Sequence, residues 1–402
     1  MGLNKVNHIN LIKNFCTAPS AQSAADLICF FKTNGNSNAV ADLAGSLADS
    51  GAKLSVSGRA ADIASTGGPS SLSTLLCPLF LAHAGFIVPK LGVQGRPAGG
   101  IDVMAQLPGY DISPNPEKIR TILAFSNFAH FLADKTYAPL DQILFSFRQQ
   151  LGAQPVRNLV VASILAKKLA VGVTDAALEI RVFPGGNFGE DVQTAVENAN
   201  FFNETASRLK IKSTCFATDC TVPYQPWIGR GEAIQALYSL FYGEPSAWLM
   251  SHAEQCWSFV KQINDFGPSQ ADMRKVLRET CEVFERHLRS HGTVPTDISG
   301  VISKLARHHY HAVKAPSNGF VVYHQAVIRD FIVRRQRAAS DARFPDSAGI
   351  ELLKRPEERV VRGEPVLKVR TSKFLDCQVE LNELCSIAPN AKIQFTDLVI
   401  KQ

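Results

Sequence analysis

The chain has 402 residues, 46% of them hydrophobic and 19% charged, with a formal net charge of +6. That length exceeds one small core and predicts two or three domains, while the balance excludes disordered and fibrous chains. The charge suits attraction of a small anion but is too dispersed for a nucleic-acid groove.

In chain order, Ala21 to Lys32 and Ala39 to Ser50 carry apolar residues at helical spacing, separated by the loop Asn34-Gly35-Asn36-Ser37-Asn38. A strand runs into Ala60 to Ala64, then Ser65-Thr66-Gly67-Gly68-Pro69 leads to an apolar helix from Leu72 to Ala84. Phe86-Ile87-Val88 resumes a strand, so a βαβ unit is expected. A second glycine-rich segment, Leu91 to Gly100, follows. Helices are predicted over Pro116 to Phe128, Leu140 to Leu151, Arg157 to Ala170 and Glu190 to Leu209. Strands are predicted over Ala176 to Val182 and Lys212 to Ala217. Ala247 to Val313 reads as helical throughout. Beyond Ala315-Pro316 the pattern turns to β, with strands near Phe320 to Tyr323, Val366 to Val369 and Lys392 to Phe395.

Other features carry less chemistry. The most apolar stretch, Leu75 to Val88, holds Pro78 and His83 and falls short of the roughly 20 residues of a membrane span. The N-terminus forms no secretory h-region, so a cytoplasmic location with no membrane partner is expected. The nine cysteines stand singly, without a CxxC pair. Arg329 to Arg337 reads as a solvated helix or loop face. His308, His309 and His311 read as surface residues of a helix, and no metal site is expected.

Ser65 to Gly68 can serve an anion. A glycine pair lets successive N–H groups converge ahead of a helix whose N-terminus is partially positive. The same residues suit a plain tight turn with capping serines equally well. Asp62-Ile63-Ala64-Ser65-Thr66-Gly67-Gly68 also resembles the Asp-Lys-His-Ser-Thr-Gly-Gly phosphate loop of thymidine and pyrimidine nucleoside phosphorylases. Leu43 to Gly51, Pro108-Gly109-Tyr110-Asp111-Ile112, Thr218-Asp219, Ala315 to Phe320 and Gly363-Glu364-Pro365 resemble further markers of that family, in collinear order.

The most specific stretch is Ala162 to Ala170, where Ser163 and Lys167 are four apart and share a helix face. Read alone, Lys167 is one solvated lysine of a pair. The resemblance implies instead that Arg148, Ser163 and Lys167 read a pyrimidine edge, with Asp141 orienting the arginine and Phe145 replacing a family tyrosine as an apolar wall. It implies Arg148 and Lys167 as catalytic groups, because cationic donors stabilise charge that develops on a departing base. Ser65, Thr66, Gly67, Gly68 and Thr74 would bind phosphate, with Lys90 supplying a cation.

Departures gather on the phosphate side. Ile63 and Ala64 replace the loop lysine and histidine, Lys90 stands at a family serine, and Gly100 stands at a threonine. Losing the lysine removes a charge-assisted contact. Val88 to Gly92 also resembles an element of anthranilate phosphoribosyltransferase, but the Asp-Glu magnesium pair of that relative is not recognisable. Phe183 to Phe188 is one residue longer than the family's cation loop, so a monovalent ion is not expected.

The fold expected from the resemblance is α/β, of the class II nucleoside phosphorylase/phosphoribosyltransferase type. It comprises a discontinuous helical domain (1–50 and 137–172), an α/β phosphate-binding domain (51–136 and 173–315) and a C-terminal α+β subdomain (316–402). The implied activity is phosphorolysis of a pyrimidine-like nucleoside or nucleotide, with inorganic phosphate as co-substrate, no other cofactor, and a homodimer. Ile63 and Ala64 keep a second reading open, a non-catalytic relative that binds a base without cleaving its nucleoside. A third is an enzyme of the same fold acting on another heterocycle.

Overall fold

The computed structural model describes residues 8–95, 99–133, 135–264, 272–339, 343–371, 382–392 and 394–402. Three helices open the chain: α1 (His8–Thr17), α2 (Ala21–Thr33) and α3 (Ser37–Ala48). Ser20 and Ser23 cap α2 reciprocally, and the Asn36 side chain caps α3. The βαβ unit follows as β1 (Ala61–Thr66), α4 (Ser73–His83) and β2 (Val88–Gly92), then come α5 (Gly100–Met104), α6 (Pro116–Ser126) and β3 (Phe128–Leu132). Asn127 ends α6 in the left-handed conformation, so Phe128, expected at the end of a helix, begins a strand instead. Next are α7 (Pro139–Gln150), α8 (Arg157–Ala170), β4 (Asp175–Val182), α9 (Val192–Arg208), β5 (Lys212–Asp219), β6 (Trp227–Gly229) and α10 (Arg230–Tyr242).

The region read as continuously helical is broken. It divides into α11 (Ala247–Asn264), α12 (Met273–Ser290), α13 (Pro295–Leu305) and the strand β7 (Tyr310–Lys314). Gly292, at φ +93°, closes α12 while the Thr293 N–H returns to Leu288 O. His308, His309 and His311 therefore lie beyond α13 and in β7 rather than on a helix. The C-terminal part contains β8 (Gly319–Tyr323), α14 (Gln325–Ala338), β9 (Ala348–Leu352), β10 (Arg359–Val360), β11 (Pro365–Thr371), β12 (Cys385–Ala388) and β13 (Leu398–Lys401). The Arg329–Arg337 run belongs to α14. The strand expected at 392–395 is found at 398–401, with Ile393 outside the described residues.

The central sheet has the order β1-β4-β5-β13, parallel except for the last strand. β2 and β3 pair in parallel and join it through the Ala60–Ile87 bridge. Alternation along the strands gives each face its own core. Ala176, Leu178 and Ile180 pack with α3, α8 and α9, whereas Ala61, Ile63, Ala177 and Phe216 pack with α4, α10, α11 and α12. Antiparallel sheets of order β6-β9-β11-β7 and β10-β8-β12 complete this mixed α/β fold. Arg370 on β11, Glu232 on α10 and Asp346 form a buried ion network that ties the C-terminal sheet to the rest. No described helix is long and apolar enough to cross a membrane.

Candidate active site

Helices α7 and α8 lie side by side, and their facing residues form a row. Leu159, Ser163 and Lys167 are successive turns on one face of α8. The Lys167 ammonium donates to Ser163 Oγ at 2.8 Å and to the Ser163 carbonyl at 3.1 Å, and it pairs with the Asp141 carboxylate. Asp141, expected to orient Arg148, is thus engaged by Lys167. Arg148 closes the row one turn before Ser163. Its guanidinium donates to the carbonyls of Ala153 (3.3 Å), Leu159 (3.1 Å) and Gln154 (2.7 Å). The guanidinium therefore clamps the α7–α8 turn, where an open fork was expected. The Phe145 ring is half-buried, with its centroid 5.8 Å from the Arg148 guanidinium carbon.

The glycine loop leaves β1 and turns into α4. Gly67 (φ +60°) and Gly68 (φ +69°) adopt a conformation that only glycine takes without strain. Ser65, Thr66, Gly67, Gly68 and Thr74 are all half-buried. Beneath the loop is a residue that sequence reasoning missed. Arg181 on β4 donates to the carbonyls of Gly67 and Gly68, to Ser73 Oγ at 2.9 Å and to Glu179 Oε2 at 3.0 Å. Glu179 also accepts from the Ser73 hydroxyl. Anchoring both loop carbonyls inward leaves the loop's N–H side to face the other way.

His252 of α11 supplies a second support. Its Nε2 accepts from the Leu72 N–H at 2.8 Å, and its Nδ1 pairs with Gln255 Oε1 at 3.0 Å. An accepting Nε2 makes the ring neutral with its proton on Nδ1. Burial, above all, lowers its pKa to about 4.

Lys90 lies at the root of the loop. Its ammonium donates to Asp62 Oδ1 at 2.7 Å and to the Ile63 carbonyl at 2.9 Å, and the other Asp62 oxygen accepts from Lys168. All three side chains are buried. Burial alone would raise the Asp62 carboxyl, but Lys168 and then Lys90 hold it well below the usual carboxylate range. Burial lowers the Lys168 ammonium, with Asp62 opposing the shift. Beside Lys90, in register on β3, His130 is held neutral by burial and by the Lys90 charge. The two glycine-rich segments meet here, because a carbon built on Gly100 would lie 3.2 Å from Thr74 Oγ1. Surface hollows of about 480 Å³, beside Lys13, Asp42 and Leu140, and about 320 Å³, beside Trp227, Tyr310 and Lys368, are not lined by these groups, although Leu140 adjoins Asp141.

Residues 57–181, which span β1 through Arg181 and so both clusters, match the description "Glycosyl transferase family, a/b domain". Over that segment the chain is similar to that family. It is 27% identical over 324 residues to a thymidine phosphorylase of Sinorhizobium fredii, covering 76% of this chain and 72% of that one. A thymidine phosphorylase of Rhizobium meliloti is 28% identical over 180 residues, 44% of this chain and 40% of the relative. An AMP phosphorylase of Methanocorpusculum labreanum is 26% identical over 320 residues, 75% of this chain and 60% of the relative. The chain thus spans from two fifths to nearly three quarters of the length of these relatives. Among solved structures, anthranilate phosphoribosyltransferase from Thermus thermophilus aligns with TM-score 0.47 and 16% identity, over 74% of this chain and 99% of that one.

Proposed function

We propose that this chain is a member of the phosphorylase-like glycosyl transferases, a pentosyl-transferring enzyme that cleaves a pyrimidine-like nucleoside or nucleotide by phosphorolysis. The observation that carries the reading is the Asp141–Lys167–Ser163 constellation on adjoining helices. An ammonium oriented by a carboxylate and a hydroxyl is a preorganised donor for a base that leaves with negative charge. A phosphate oxygen would attack C1′ while the C1′–N bond breaks, and the bonding electrons would pass into the ring, where Lys167 stabilises them. Arg148 would hold the start of the row, with Phe145 as its apolar wall. Ser65, Thr66, Gly67, Gly68 and Thr74 would take the phosphate, with the Lys90 charge behind them. In this reading residues 1–50 and 137–172 carry the base, 51–136 and 173–315 carry the phosphate, and 316–402 pack behind. The protein would act as a homodimer.

Free base released from uridine, thymidine, CMP or AMP in phosphate buffer tests the reading directly. Phosphate-dependent release, lost in Lys167→Met, is the expected result. Absence of release from all four would refute phosphorolysis of these substrates.

One set of observations favours the non-catalytic reading. Lys90 spends its contacts on Asp62 and Ile63 instead of the loop tip, and Arg148 spends its fork on backbone carbonyls. Tight binding of a base or nucleoside without release, in the same samples, would establish that alternative.

A further inference from the structure

Lys168 follows Lys167 directly, yet the two side chains serve different places. Neighbours on a helix project about 100° apart. Lys167 turns toward α7, whereas Lys168 reaches Asp62 on β1, the strand that carries the glycine loop. Asp62 is shared, one oxygen to each of two ammonium groups, and Lys90, Asp62 and Lys168 are 5%, 0% and 5% exposed.

The charge count of this group is uneven. Among the described residues, Lys90, Lys168 and Lys167 form ion pairs with two carboxylates, Asp62 and Asp141, so the group carries one net positive charge. Buried charge is costly unless paired. The missing anion has an obvious place, since Asp62 precedes Ser65 by three residues, about 10 Å along a strand. An oxyanion in the loop would complete the count. It would also fix the last turn of α8 against β1, and Lys167 belongs to that turn.

We infer that Lys168 is a positioning residue that couples occupancy of the glycine loop by phosphate to base binding at Ser163 and Lys167. The inference rests on the base-and-phosphate reading given above. Coupling of this kind is reciprocal, so phosphate tightens base binding and the base tightens phosphate binding by one factor. If the Lys168–Asp62 pair only anchored α8 to the sheet, its loss would lower stability and leave that factor unchanged.

Calorimetric titration of the full chain with uracil, with and without saturating inorganic phosphate, tests this. The wild type should bind uracil at least about fivefold more tightly with phosphate. Lys168→Met should bring the ratio to about one, and Lys168→Arg should restore most of it. A ratio kept in Lys168→Met overturns the inference. So does a wild-type ratio of one when both ligands bind, although the site reading then survives. A wild type that binds neither ligand removes the site reading and the inference together. If circular dichroism finds Lys168→Met unfolded, Asp62→Asn replaces it: a ratio of one supports the coupling, and an unchanged ratio overturns it.

Discussion

The neighbouring glycines of the anion loop make a paired experiment. Both have positive φ, so alanine at either costs about 1–2 kcal/mol of backbone strain. Their surroundings differ. A Cβ on Gly67 meets the Phe183 ring alone among the described residues, Cε1 at an ordinary 3.4 Å and Cζ at 3.8 Å. A Cβ on Gly68 would lie 2.6 Å from Cys220 Sγ and 2.9 Å from Arg181 Cδ. Neither neighbour yields easily. Arg181 is pinned by the loop carbonyls, Ser73 and Glu179, and the Cys220 N–H is bonded to Val182 O at 2.9 Å. Overpacking of this kind adds about 1–3 kcal/mol. Gly67→Ala should therefore cost about 1–2 kcal/mol, and Gly68→Ala about 2–5 kcal/mol. Urea unfolding followed by circular dichroism measures the gap as a shift in midpoint at constant slope. Phosphate titration of Gly68→Ala should also show affinity reduced at least about tenfold, about 1.4 kcal/mol. Equal midpoints for the two variants would refute the packing argument, because backbone strain alone would then account for both.

Asp141→Asn leaves the Lys167 ammonium without its carboxylate and should cost about 3 kcal/mol, the low end for a broken buried pair, since Lys167 keeps some solvent contact. Thermal unfolding should place the double variant Asp141→Asn/Lys167→Met closer to wild type than Asp141→Asn alone. Arg370→Met strands Glu232 and Asp346, at about 3–5 kcal/mol. Burial already raises the Glu232 carboxyl against the pull of Arg370, so the variant should take up a proton there. Its deficit in unfolding experiments should therefore be smaller at pH 5 than at pH 8. His252 sets an acid limit. With its folded pKa near 4 and an unfolded value near 6.5, only the unfolded chain takes the proton between those values. Stability present above pH 6.5 should fall by about 1.4 kcal/mol per unit on the way down to pH 4, then level off for this group. His252→Gln, whose side-chain oxygen can accept from Leu72, should flatten that slope in urea midpoints measured at pH 7 and pH 5. An unchanged slope would remove His252 from the account.

What the sequence disclosed follows from how far each signal reaches along the chain. α8 was legible at both ends because its apolar period is unbroken from Arg157 to Ala170. The glycine turn was legible because two adjacent positive-φ positions demand that residue type. The Ser163–Lys167 pair needed only helical arithmetic. Lys168, Glu179 and Arg181 were illegible, since their partners are set by packing: Asp62 stands 106 residues from Lys168, and Gly67 stands 114 from Arg181. The bonds of Arg148 to the carbonyls of Ala153, Gln154 and Leu159 were illegible, because carbonyls in the α7–α8 turn leave no trace in sequence. α14 was legible only as a helix or loop face at Arg329 to Arg337, because Val327, Ile328, Ile332 and Val333 favour strands in isolation; its buried side carries Ile328, Phe331 and Ile332.

The pairing of β13 with β5 sets a timetable for synthesis. Leu398–Lys401 covers the edge of the same sheet that carries the glycine loop, with partners at Thr214–Ala217. At about 5–20 residues per second, the ribosome needs roughly 10–40 s to travel from β5 to β13. Throughout that interval the nascent sheet offers a bare strand to any neighbouring chain. Expression yield should therefore respond to cooling and chaperone supply more than to codon changes near the start.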